Sequence, residues 1–132
     1  MKKKNIGITM KKVLMIVEDF DYIRNVVGKY FQLNGYDIIS VGNLHEAMAI
    51  GQLEQPQVVI VDFDMASNDP YLIVSILHNI LPLSQLIMVN GRSRHCDKEE
   101  ANIAGVNRIL ERIFNSEALE EIVKNTEVET VH

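Results

Sequence analysis

The sequence predicts a doubly wound α/β domain on a five-stranded parallel sheet, and three observations carry that prediction. Short apolar runs alternate with stretches of helical period along the chain. One run, Val58-Val59-Ile60-Val61, is β-branched without interruption and ends on Asp62. An earlier run, Val13-Leu14-Met15-Ile16-Val17, also ends on acid, at Glu18-Asp19. Continuously apolar strands belong to sheets covered on both faces, and strand–helix alternation implies parallel pairing with right-handed crossovers.

The first strand is 13–17. Asp21 is placed to cap a helix whose stripe is Ile23, Val26, Val27 and Tyr30, with Gly35 as its stop. Residues 37–41 form a second strand. Asn43 with Glu46 three residues later reads as a capping-box start for a helix with Leu44, Ala47, Met48 and Gly51 on one side. Pro56 punctuates the entry to the central strand. Beyond the polar loop 66–69, Asp69-Pro70 is a cap and first-turn pair for a helix carrying Ile73, Ile76, Leu77 and Ile80 and ending near Pro82. Residues 86–89 make a fourth strand, and 97–104 a helix with a modest stripe, stopped by Gly105. Residues 107–110 form a fifth strand, and a last helix from about 115 buries Leu119, Ile122 and Val123.

The flavodoxin-like order 2-1-3-4-5 sets strands one and three side by side, at the crevice where ligands of open α/β sheets sit. Glu18, Asp19 and Asp62 are then expected to converge there, with Asn90 and Arg112 on the rim. Two like charges about 4 Å apart repel by roughly 4 kcal/mol at an effective dielectric of 20. Three carboxylates therefore call for a shared proton or a cation, most economically Mg2+ among oxygen ligands. Such an ion commonly meets a phosphoryl group, which makes Asp62 a candidate nucleophile, Arg112 a bidentate neutralising group and Asn90 an amide donor.

The chain has 132 residues, 47% of them apolar, and a formal net charge of -5. That size suits one domain, and the charge argues against general nucleic-acid binding. Residues 1–10 read as an N-terminal arm with basic Lys2-Lys3-Lys4, and Met10 as an alternative translation start. With one cysteine, Cys96, no intrachain disulfide forms, and no run reaches the roughly 20 apolar residues of a membrane span. A soluble cytoplasmic protein is the expectation. His45, His78, His95 and His132 lack metal-ligand spacing. They read as surface residues, and the methionines as core filler. Tyr71 and Phe114 suit either packing or a partner-facing surface.

The residues resemble a known family, the receiver domains of bacterial two-component response regulators. The resemblance rests on residues 13–19, on Gly35-Tyr36, on Glu46-Ala47-Met48, on Val59-Ile60-Val61-Asp62 with Met65, and on Ala104-Gly105 leading to Phe114. It implies a stand-alone receiver over 11–125, with a tail over 126–132, and Asp62 as stoichiometric phosphoacceptor rather than enzyme, with slow autodephosphorylation. It also implies Mg2+ held by Glu18, Asp19, Asp62 and the backbone carbonyl of Asp64. The phosphoryl donor would be a histidine kinase or histidine phosphotransfer protein, and a downstream target protein would dock on the face of helix four, strand five and helix five. Homodimerisation stays open. The chain departs from the family at its switch: Asn90 stands for the usual Thr or Ser, Ile109 for an aromatic, Arg112 for Lys, and Ile113 and Ala66 for Pro. Two alternatives follow: a non-phosphorylated pseudo-receiver acting as an interaction module, and a phosphatase, since Asp62-Phe63-Asp64 resembles the Asp-x-Asp motif of haloacid-dehalogenase-type hydrolases.

Overall fold

The computed structural model describes residues 12–17, 27–64, 69–91 and 95–111. Among them, strands β1 (Val13–Val17), β2 (Asp37–Val41), β3 (Val58–Asp62), β4 (Gln85–Val89) and β5 (Arg108–Leu110) alternate with helices α1 (Lys29–Leu33), α2 (Leu44–Glu54), α3 (Pro70–Ile80) and α4 (Lys98–Ala104). Every strand pair is parallel, and the order is β2-β1-β3-β4-β5, as the alternation predicts. Asp21, Ile23, Val26 and the expected helix from about 115 lie outside the described residues.

Successive residues of the inner strands serve opposite faces, which is why their sequences are apolar throughout. Met15, Val17, Val59, Val61, Leu86 and Met88 join one core, closed by Ala47 of α2, Ile73, Val74 and Leu77 of α3, and Ala101 of α4. Leu14, Ile16, Val58, Ile60, Ile87 and Val89 join the other, with Val27 and Phe31 from the α1 region. Full burial of each such side chain contributes roughly 1.5–3 kcal/mol.

Two helical stripes are rotated from their predicted positions. In α1, Phe31 is buried and Tyr30 half-buried, because Phe31 lies one turn beyond Val27 and its ring meets Tyr36 edge-on at 5.2 Å. In α3, Val74 enters the core and Ile76 and Ile80 stay half-buried. Pro70 is itself buried, so the inward stripe runs through residues 70, 73, 74 and 77.

Capping defines the helix ends. Asn43 Oδ1 accepts the Glu46 N–H at 2.9 Å, while Glu46 Oε1 accepts the Gly42 N–H at 2.9 Å, so the box closes one residue before the expected cap. Asp69 Oδ1 accepts from the Tyr71 N–H at 3.0 Å. Asp97 Oδ1 accepts from Glu99 and Glu100 at 2.9 and 3.1 Å, which starts α4 despite its modest stripe. β5 begins at Arg108 rather than 107, because Asn107 brackets Leu86: its N–H donates to the Leu86 carbonyl and its Oδ1 accepts the Leu86 N–H, both at 2.7 Å.

Candidate functional site

Asp62 is the last residue of β3 and is fully buried. Its register partner on β4 is Val89, and Val61 beside it pairs with Val17, the last residue of β1. The carboxyl ends of three adjacent strands are therefore level. Glu18 and Asp19 follow Val17 directly in sequence but lie outside the described residues, as does Arg112. Among the described residues, no three His, Cys, Asp or Glu side chains are grouped as a metal site.

The backbone turns away from β3 immediately after Asp62. Its Oδ1 accepts the Asp64 N–H at 3.0 Å, a side-chain turn that anchors both the carboxylate and the loop. The Phe63 N–H donates to the Val89 carbonyl at 2.9 Å, extending the ladder by one rung. The Phe63 ring packs edge-on against Tyr71 at 5.5 Å between centroids. Tyr71 is thus a packing residue, half-buried, and its hydroxyl accepts the Asp97 N–H at 2.7 Å. Partial burial raises the Tyr71 pKa, so the phenol stays protonated.

Asn90 follows β4 and is buried, and its side chain is engaged at both ends. Its Oδ1 accepts the Cys96 N–H at 2.9 Å, and its Nδ2 lies 2.9 and 3.0 Å from the two carboxylate oxygens of Glu111. The amide predicted to face the crevice is therefore directed at the tip of β5. Glu111 went unnoticed in the sequence because its partner is 21 residues away, and only the Val89–Leu110 register makes the two neighbours. Cys96 is buried, and desolvation pushes its thiol upward, so it behaves as a core residue. His45, His78 and His95 are exposed, as expected, and Met15 and Met88 are fully buried.

Residues 14–124 match the response regulator receiver domain family. This chain belongs to that family. A curated relative of the receiver, the probable transcriptional regulator ycf27 of Porphyra purpurea, is 24% identical over 115 residues, 87% of this chain and 47% of that protein. The chain spans about half the length of the ycf27 relatives it matches in this way. The chemotaxis response regulator CheY4 of Vibrio cholerae superposes with a TM-score of 0.74 at 24% identity, over 89% of this chain and 99% of that one. A response regulator from Burkholderia pseudomallei, with a phosphorylated aspartic acid, calcium ion and citrate, superposes at 0.71 with 15% identity, over 90% of this chain and 75% of that one. These structural likenesses are likenesses of fold. Among the described residues, no helix of the receiver is long and apolar enough to cross a membrane.

Proposed function

We propose that this receiver accepts a phosphoryl group on Asp62 from a histidine kinase or histidine phosphotransfer protein, in a Mg2+-dependent reaction, and signals through protein–protein contact. The observation that carries the reading is the position of Asp62: a fully buried carboxylate at the tip of the central strand, level with the ends of β1 and β4. One carboxylate oxygen attacks phosphorus as the bond to the donor's imidazole nitrogen breaks, leaving the donor histidine neutral and an acyl phosphate on Asp62. Arg112 would neutralise the transferred group.

The donor set fits a hard cation, since it consists of oxygen ligands on a strand tip whose loop is already turned by the Asp62–Asp64 contact. Glu18, Asp19, Asp62 and the Asp64 carbonyl would hold Mg2+, which supplies charge neutralisation as the phosphoryl group approaches. The Asp-x-Asp hydrolase alternative loses its support, because the family match covers most of the chain.

One observation favours the pseudo-receiver as a second reading: the Asn90 amide is committed to Glu111 where other receivers carry a movable hydroxyl. A single assay separates the two. Incubation with acetyl phosphate and Mg2+, followed by intact-mass measurement, should add one phosphoryl group to the wild type and none to Asp62→Asn. An unmodified wild type at saturating donor overturns the phosphoacceptor role.

A further inference from the structure

Asn is followed by Gly twice in the sequence, at 34–35 and at 90–91, and the fold treats the two pairs in opposite ways. Asn90 and Gly91 are both buried, and the Asn90 amide is fixed at each end, by the Cys96 N–H and by the Glu111 carboxylate. Asn34 and Gly35 are both exposed, where α1 ends and the chain turns toward β2. We propose that Asn34 is a site of spontaneous deamidation, at which the Gly35 nitrogen converts the side-chain amide into an isoaspartyl or aspartyl carboxylate, while the fold keeps Asn90 intact.

The reaction needs only this pair and water. The Gly35 nitrogen gives its proton to solvent and bonds to Asn34 Cγ, the Cγ–Nδ2 bond breaks, and ammonia leaves a succinimide ring behind. Water then opens the ring: attack at Cγ leaves an aspartyl residue, and attack at the α-carbonyl leaves an isoaspartyl residue with the main chain routed through Cβ. Glycine exposes its nitrogen because it carries no side chain, and the space a Cβ would fill on Gly35 is empty to 4 Å. The restraints on Asn34 are slight. Its Nδ2 donates to the Tyr30 carbonyl at 2.9 Å, and the Gly35 N–H donates to the Gln32 carbonyl at 3.1 Å. Both bonds lie at the exposed end of a five-residue helix, where opening costs least. Asn90 would have to surrender a bond to a carboxylate and a buried bond to the Cys96 N–H.

The turn that reacts also seats part of the core. The Tyr36 N–H donates to the Phe31 carbonyl at 3.1 Å, and the two rings meet edge-on. Cyclisation removes the proton that Gly35 donates to Gln32. Hydrolysis replaces the donor on the Tyr30 carbonyl with a carboxylate that repels it, and the isoaspartyl product adds a backbone atom between Phe31 and Tyr36. Conversion of Asn34 therefore loosens the core on its α1 side.

Wild-type protein aged in mildly alkaline buffer made with heavy-oxygen water, then digested and mapped by mass spectrometry, should convert Asn34 about tenfold faster than Asn90, or more. In guanidinium chloride the two should convert at similar rates, because the fold no longer distinguishes them. The aged native sample should accept methyl groups from an isoaspartyl carboxyl methyltransferase and unfold at lower urea, and Asn34→Gln aged in parallel should do neither. An Asn34 that stays intact in the native protein while it converts in guanidinium chloride overturns the proposal, as does a native Asn90 that converts as fast as Asn34. Converted protein that unfolds at the same urea concentration as fresh protein overturns the effect on the core.

Discussion

At the scale of single residues, the polar contacts described near the strand tips gather around Asn90. The Asn90 amide accepts the Cys96 N–H on its oxygen and donates from its nitrogen to the Glu111 carboxylate, a reach across two neighbouring strand ends. That arrangement seats Cys96 in the core, where desolvation lifts its thiol above the ordinary value of 9.0. The native state then holds the thiol proton to higher pH than the unfolded chain does, so this contribution is complete below pH 9 and is lost as pH rises through the native value. Urea unfolding of the wild type should show stability falling above pH 9, and Cys96→Ala should flatten that slope. The place of Asp62 at a strand tip was readable because it ends an unbroken apolar run. The Glu111 brace was not, because a cross-strand contact has no local pattern.

At the scale of elements, short helices are set by their ends more than by their stripes. α1 closes with Tyr36 N–H on the Phe31 carbonyl and Gly35 N–H on the Gln32 carbonyl, and α4 closes with Val106 on Ala101 and Gly105 on Asn102. Both closures need a left-handed residue, at φ +95 for Gly35 and +115 for Gly105. The two glycines differ in surroundings: a Cβ on Gly35 meets nothing within 4 Å, whereas one on Gly105 lies 2.6 Å from the His78 ring. Gly35→Ala should cost about 1 kcal/mol from backbone strain alone, and Gly105→Ala more than 2 kcal/mol. Adding His78→Ala to Gly105→Ala should recover part of the difference, since the His78 Cβ at 2.9 Å remains, measured as a double-mutant cycle in urea. Gly105 was legible as a stop, whereas the Asp97 cap emerged with the structure and the His78 ring beside Gly105 belongs to α3 packing on α4.

At the scale of the molecule, the sheet divides the described residues into two cores, one on each face. Three helices pack on one face, while on the other the described cover comes from Val27, Phe31 and their neighbours. Phe31→Ala should therefore destabilise by about 3–5 kcal/mol, against under 0.5 kcal/mol for Leu83→Ala, which is 91% exposed. Equal losses for the two variants in urea unfolding would show that the second face contributes little.

The sequence by itself determined the strand runs, the caps at Asn43 and Asp69, the parallel order and the acid that ends β3. Those features follow from residue spacing and from the alternation of strand with helix, both of which are local. Only the tertiary structure decided which turn of α1 and α3 faces inward, and that Asn90, Glu111, Tyr71 and Asp97 meet around the start of α4. Such contacts join residues far apart in the chain, and they exist only once parallel register has brought the strand ends level.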